Sequence, residues 1–142
     1  MLHEGGCPCG AVRYRTSGEP LRASVCHCTF CQHRTGSAFG TGVYFKQEQV
    51  ELLQGETRSY EHASDASGRK LWTQFCVRCG TSVMWTLELM PGAMGIAGGS
   101  FDDPAWFRIE RHGWLRSGHS WVKPPAGVET FQESTAAQPK PL

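Results

Sequence analysis

The chain has 142 residues, of which 39% are apolar and 19% charged, with a formal net charge of +1. A chain of this length can bury roughly 68% of its unfolded surface, enough for one real core, so the composition excludes a disordered protein. The balanced charge gives no electrostatic case for nucleic acid or a membrane surface as partner.

No window approaches 18 uninterrupted apolar residues, so no membrane-spanning helix is expected. Residues 1–6 lack the basic start and apolar run of a signal peptide, and a cytoplasmic location is expected. In that reducing setting seven cysteines point to metal ligation rather than disulfides, and the odd count leaves one thiol unpaired in any disulfide scheme.

Taken along the chain, the pattern is mainly β. Residues 11–16 place Val12, Tyr14 and Thr16 on one face of a strand. Further β-rich runs at 22–25, 42–45, 50–53, 58–61, 71–75, 81–86, 94–97 and 107–110 are separated by glycine and polar residues, which predicts antiparallel sheet. Helix signals are few. Residues 28–33 read as one short turn ended by Gly36, and Asp103-Pro104 reads as a cap and first position of another. The segment 98–103 reads as a strand end followed by that capped turn. The five tryptophans (72, 85, 106, 114 and 121) read as core and sheet packing. Prolines and small polar residues dominate the end of the chain, so a domain over 1–125 and a loosely held tail over 126–142 are expected.

The cysteines fall into three groups: Cys7-Pro8-Cys9-Gly10, Cys26-His27-Cys28-Thr29-Phe30-Cys31, and Cys76-Val77-Arg78-Cys79-Gly80. A closely spaced pair with a trailing glycine bends the backbone so that both thiolates face one metal. A tetrahedral structural zinc takes four ligands, usually two from each of two such knuckles. The symmetric division joins Cys7, Cys9, Cys76 and Cys79, leaving Cys26, Cys28 and Cys31 on one six-residue loop. Three protein ligands and one open position is the pattern of a catalytic zinc. A zinc ribbon pairing Cys28 and Cys31 with Cys76 and Cys79 is the alternative, although 44 residues lie between Cys31 and Cys76. His33 is close enough in sequence to complete the second site, whereas His27, between two ligands, points away from them on an extended loop.

These motifs, together with Thr35-Gly36-Ser37-Ala38-Phe39, Phe75-Cys76, Gly99-Ser100-Phe101-Asp102-Asp103-Pro104, His112 and Trp121, resemble the family of glutathione-dependent formaldehyde-activating enzymes (GFA), which also includes centromere protein V. The resemblance covers roughly residues 3–125. It implies a β-tent fold, antiparallel sheet built around a structural zinc on Cys7, Cys9, Cys76 and Cys79. It also implies a second, labile zinc on Cys26, Cys28 and Cys31 that carries the activity. The implied reaction is that of a carbon–sulfur lyase, joining formaldehyde and glutathione to S-(hydroxymethyl)glutathione or reversing that step. Phe30 stands where a polar residue is expected.

A small thiol such as glutathione, or one of its adducts, is thus the expected partner, with neither nucleic acid nor membrane and with a homo-oligomer allowed. Glutathione carries two carboxylates, and the loop of Arg34, Thr35, Gly36 and Ser37 offers a guanidinium and backbone N–H groups to hold one. Two other classes compete: a zinc-stabilised interaction module without catalysis, and a thiol redox or metal-handling protein that uses Cys26, Cys28 and Cys31 as a reactive cluster. The last predicts disulfide formation among those three.

Overall fold

The computed structural model describes residues 1–134; residues 135–142 of the expected tail lie outside the described residues. In chain order the elements are β1 (Leu2–Gly6), β2 (Arg13–Ser17), β3 (Arg22–Cys26), the helix α1 (Thr29–Thr35), β4 (Gly40–Lys46), β5 (Val50–Gln54), β6 (Thr57–Ala63), β7 (Lys70–Cys76), β8 (Ser82–Leu87), β9 (Ala93–Ala97), β10 (Arg111–Gly113) and β11 (Glu129–Thr130). The chain is mainly β, as expected. Two compact units form: Met1–Leu21 with Val43–Trp106, and Arg22–Gly42 with the described residues from Phe107 onward.

The first unit holds an antiparallel sheet in the order β1-β2-β5 and an antiparallel run β9-β8-β7-β6. The alternation read in residues 11–16 is real: Val12, Tyr14 and Thr16 are each 0% exposed. Phe45, Val83 and Ile96 are equally buried. The Tyr14 ring meets Phe101 edge-on at 5.5 Å and its hydroxyl lies 2.7 Å from Ser100 Oγ, so its polar end is satisfied inside the core. Gly98–Ser100 is a 3-10 turn, and Asp103 Oδ1 accepts the Ala105 N–H at 2.9 Å in the turn that follows. Strand β1, with two glycines and no alternation, carries no strand signal of its own; pairing with β2 from Leu2↔Ser17 to Gly6↔Arg13 makes it one.

The second unit departs from the antiparallel expectation. Strand β10 runs parallel to both β3 and β11. Parallel neighbours need long connections, and periodicity carries no information on strand direction. The strand expected at 107–110 is displaced to Arg111–Gly113, because register with Ser24–Cys26 selects it rather than local propensity. Within the stretch expected to be a loose tail, β11 pairs with Arg111 and His112. Residues 131–133 also accept hydrogen bonds from the N–H groups of Leu115, Arg116 and Trp114.

The turn between β5 and β6 braces the ends of two hairpins. Gly55 has φ +97, and a Cβ there would sit 2.3 Å from the Ala11 carbonyl oxygen. Gln54 Nε2 donates to the Gly10 carbonyl at 3.3 Å, and the Glu56 carbonyl accepts the Val77 N–H at 3.3 Å. Gly68 also has positive φ, +71, but opens on free space. Both Gly55→Ala and Gly68→Ala incur the left-handed backbone cost of about 1–2 kcal/mol. Only Gly55→Ala adds a backbone collision, so it should melt well below Gly68→Ala in thermal denaturation; equal melting temperatures would show that the close approach contributes nothing.

Candidate functional site

Two hairpins of the first unit, β1–β2 and β7–β8, each reverse through a cysteine knuckle. In the first, Gly10 N–H bonds to the Cys7 carbonyl at 3.0 Å and Cys7 N–H to the Val12 carbonyl at 3.1 Å. In the second, Gly80 N–H bonds to the Cys76 carbonyl at 2.8 Å and Cys76 N–H to the Thr81 carbonyl at 3.0 Å. Gly10 and Gly80 have φ of 78° and 77°, the left-handed turn that lets the chain reverse just after the second cysteine.

The result is one four-thiol cluster. Cys7, Cys9, Cys76 and Cys79 place their sulfurs within 4.8 Å of one another, with Cys7–Cys9 at 3.5 Å and Cys9–Cys76 at 3.8 Å. A tetrahedron with zinc–sulfur bonds of about 2.3 Å has edges of about 3.8 Å, so the donor set and its spacing fit zinc. The Val12 and Arg78 N–H groups donate to Cys7 Sγ at 3.2 Å and Cys76 Sγ at 3.3 Å. Hydrogen bonding with the Thr81 hydroxyl and N–H holds Cys79 down to about 6. The Ala11 N–H favours the Cys9 thiolate, but partial desolvation and the neighbouring thiols outweigh it and push Cys9 up to about 11. The four sulfurs thus compete for negative charge, which a bound cation relieves.

The second cluster lies within the second unit. Strand β3 ends on Cys26; Cys28 is the N-cap of α1, its sulfur accepting the Cys31 N–H at 3.3 Å; Cys31 sits in the first turn. The three sulfurs lie within 4.8 Å of one another. Hydrogen bonds from the Cys26 and Cys31 thiols, then from the Cys31 and Phe30 N–H groups, draw Cys28 down to about 3 despite desolvation. The same contacts with Cys28 and Cys31, together with burial, push Cys26 far up. For Cys31 a bond from Cys26 favours the thiolate, but Cys28 and desolvation prevail and raise it to about 11. Of the three thiols, Cys28 is thus the one that most readily carries negative charge. This is the four-plus-three division read from spacing. Among the described residues neither cluster includes a histidine. His33 is exposed, and the fully buried His27 turns its Nε2 to His112 Nδ1 at 2.9 Å. Burial lowers both imidazoles below their ordinary range, so the pair is neutral.

Of the four residues expected to meet a carboxylate, Thr35, Gly36 and Ser37 hydrogen-bond at the end of α1. Gly36 (φ 65) gives its N–H to the Gln32 carbonyl at 2.8 Å. Thr35 Oγ1 lies 2.8 Å from the Cys31 carbonyl and 3.2 Å from that of Phe39, and it accepts the Ser37 N–H at 3.2 Å. Arg34 is placed differently. A Cβ on Gly40 would lie 2.6 Å from Arg34 Nη2 and 3.5 Å from Cys31 Sγ, so the guanidinium rests over the bare backbone of Gly40 beside the thiol cluster. Gly40 has no signal in the sequence, since its role is to leave room for a side chain six residues away. His112 was visible only through the family resemblance; nothing local marks it as the partner of His27. The expectation that the tryptophans are all packing residues fails at Trp121, which is 74% exposed and stacks on His119 at 5.4 Å.

The family described as glutathione-dependent formaldehyde-activating enzyme matches residues 2–117 of this chain. A Halomonas elongata protein, provisionally named a glutathione-dependent formaldehyde-activating enzyme, is 30% identical over 92 residues. That match takes in 62% of this chain and 57% of the relative, so the chain spans little more than half of that protein's length. A crystal structure of a Rhodobacter sphaeroides protein is similar in fold, with a TM-score of 0.55 at 18% identity, covering 90% of this chain and 98% of that one.

The clusters should respond differently to loss of one sulfur. Cys76→Ser should abolish stable folding, because a structural zinc supplies roughly 10–16 kcal/mol of apparent binding free energy in small domains. Cys31→Ser should remain folded by circular dichroism; equal insolubility of the two would make both clusters structural. After gentle chelation, iodoacetamide at pH 6 should label Cys28 ahead of Cys26. A thiol of lowered pKa is thiolate at that pH, while one of raised pKa is protonated and inert. Peptide mapping reads the order, and preferential labelling of Cys26 would contradict the charge distribution.

Proposed function

This chain belongs to the glutathione-dependent formaldehyde-activating enzyme family, and on that premise we propose that it is a zinc-dependent carbon–sulfur lyase acting on S-(hydroxymethyl)glutathione. Two zinc ions are part of the proposal: a structural one on Cys7, Cys9, Cys76 and Cys79, and a labile catalytic one on Cys26, Cys28 and Cys31. The observation that carries it is the three-thiol loop with the Arg34 guanidinium held over Gly40 beside Cys31. Three protein sulfurs leave one tetrahedral position for substrate.

When bound there, zinc favours thiolate over thiol and can polarise a carbonyl oxygen. The chain's own residues do the rest. Cys26, Cys28 and Cys31 fix the metal on a short loop rigidified by α1. Arg34 pairs with a carboxylate of the tripeptide and so orients its sulfur. In the forward direction the glutathione sulfur bonds to the formaldehyde carbon and the carbonyl oxygen takes up a proton; the reverse step breaks that carbon–sulfur bond and returns the proton to sulfur. An unperturbed thiol, with a pKa near 8.5, is mostly protonated at neutral pH, which is the barrier the site lowers. A reducing, cytoplasmic setting accords with this chemistry. Among the described residues no helix is long and apolar enough to cross a membrane.

Exchange NMR at equilibrium is the appropriate assay, because the uncatalysed addition is itself fast. The zinc-loaded protein should speed exchange between free formaldehyde plus glutathione and their adduct, and Cys26→Ser or Cys28→Ser should abolish the effect. Arg34→Ala should weaken glutathione binding by about 1–3 kcal/mol, the worth of one charged hydrogen-bonded partner. Gly40→Ala, whose Cβ would displace the guanidinium and also press on Cys31, with Cβ 3.3 Å and Sγ 3.5 Å away, should act in the same direction. No exchange enhancement and no glutathione binding by the fully metallated protein would sink the assignment.

A further inference from the structure

We infer that His112, Gln32 and Ser117 are positioning residues for the Cys26–Cys31 loop, acting through the buried His27, and that they set how tightly the three thiols hold metal. The inference rests on the reading of that loop as a metal site.

His27 lies between two of the three sulfurs, and almost every polar group it owns is committed to the protein interior. Its N–H bonds to the Gly113 carbonyl at 3.0 Å. Its carbonyl accepts from Gln32 Nε2 at 2.8 Å and from Ser117 Oγ at 3.0 Å. Its ring bonds to His112 at 2.9 Å. Gln32 ties the same point a second time, donating to the Ser117 carbonyl at 3.0 Å. The backbone between Cys26 and Cys28 is therefore gripped from β10, from α1 and from the turn Leu115–Ser117.

The holders are themselves fixed. His112 stands in β10 opposite Val25 of β3. Trp114, which precedes the turn, has φ 57 and ψ 39, the one positive-φ position among the described residues that is not glycine. Such a conformation persists only where its surroundings over-determine it. Its N–H bonds to the Glu133 carbonyl at 2.9 Å, and its carbonyl accepts the Ser117 N–H at 3.2 Å, which aims Ser117 at His27.

The remaining atom, His27 Nδ1, is buried with no hydrogen-bond partner among the described residues. A buried N–H without an acceptor is rarer than an under-used acceptor. The pair is thus assigned with His27 Nε2–H donating to His112 Nδ1, leaving His27 Nδ1 as a bare acceptor against Gly118, where an added Cβ would come within 3.4 Å of it. In this state His27 is no ligand; its ring is held away so that the flanking thiols face one point. Groups outside a ligand shell that fix ligand orientation typically govern metal affinity by about 10- to 100-fold.

The test is a cobalt(II) titration of protein whose four-cysteine site is already filled with zinc, followed through thiolate-to-metal charge-transfer absorption. His112→Phe and Gln32→Met should each weaken cobalt binding at the three-thiol loop by about 10- to 100-fold. Zinc retention at the four-cysteine site and the far-ultraviolet circular dichroism should not change. His112→Asn, which keeps an acceptor near Nδ1, should restore most of the affinity, a rescue that a purely space-filling role would not give. If His112→Phe does not fold, Gln32→Met decides. Affinity within twofold of wild type in Gln32→Met, or failure of Asn to outperform Phe, overturns the proposal. A wild-type loop that takes up no cobalt overturns both this proposal and the metal reading beneath it. Normal cobalt behaviour without glutathione exchange sinks only the lyase assignment.

Discussion

Thiolates cannot be gathered without a cation to share, and this constraint organises the first unit. Four sulfurs within 4.8 Å of one another repel when charged and gain little when protonated. The knuckles that deliver them exist because two hairpins turn just where a left-handed glycine follows the second cysteine. The turn at Gly55 braces both knuckles through Ala11 and Val77, joining the sheet β1-β2-β5 to the hairpin β7–β8 at the point where the metal would hold them. Metal and backbone support thus act on the same few residues.

The same chemistry with one sulfur fewer gives a different object. On the Cys26–Cys31 loop the negative charge is concentrated on Cys28, where a helix N-cap geometry supplies N–H groups to hold it. A four-sulfur shell is complete by itself, while a three-sulfur shell leaves a position for an exogenous thiol. Arg34, laid over Gly40, brings its guanidinium beside Cys31. The arrangement is economical in sequence: the seven-residue helix α1 carries Cys31, Cys28 caps it, and Arg34 follows Cys31 within one turn.

Polar burial is distributed unevenly. In the first unit the core is mostly aliphatic and aromatic, with Tyr14 edge-on to Phe101 and Phe45 tilted against the same ring. In the second unit the buried set includes Ser24, His27 and His112, an arrangement tolerable only because nearly every polar atom of His27 is bonded. Such networks favour a single loop geometry, since any displacement leaves several buried groups unsatisfied at once.

The sequence alone determined what is local. Cysteine spacing marked three groups of thiols, and trailing glycines marked the two knuckles of the first cluster, because ligand geometry is written in neighbouring residues. Alternation at Val12, Tyr14 and Thr16 marked a buried strand face, because the side-chain period of a strand is two. Tertiary structure decided whatever depends on residues far apart in the chain. Strand β1 exists only by pairing with β2, and β10 is selected by register with β3 rather than by the propensity of residues 107–110. The parallel direction of β10 and β11, the space Gly40 leaves for Arg34, and the partnership of His27 with a histidine 85 residues away have no local signature. Each is a packing or pairing relation that forms only once distant segments meet.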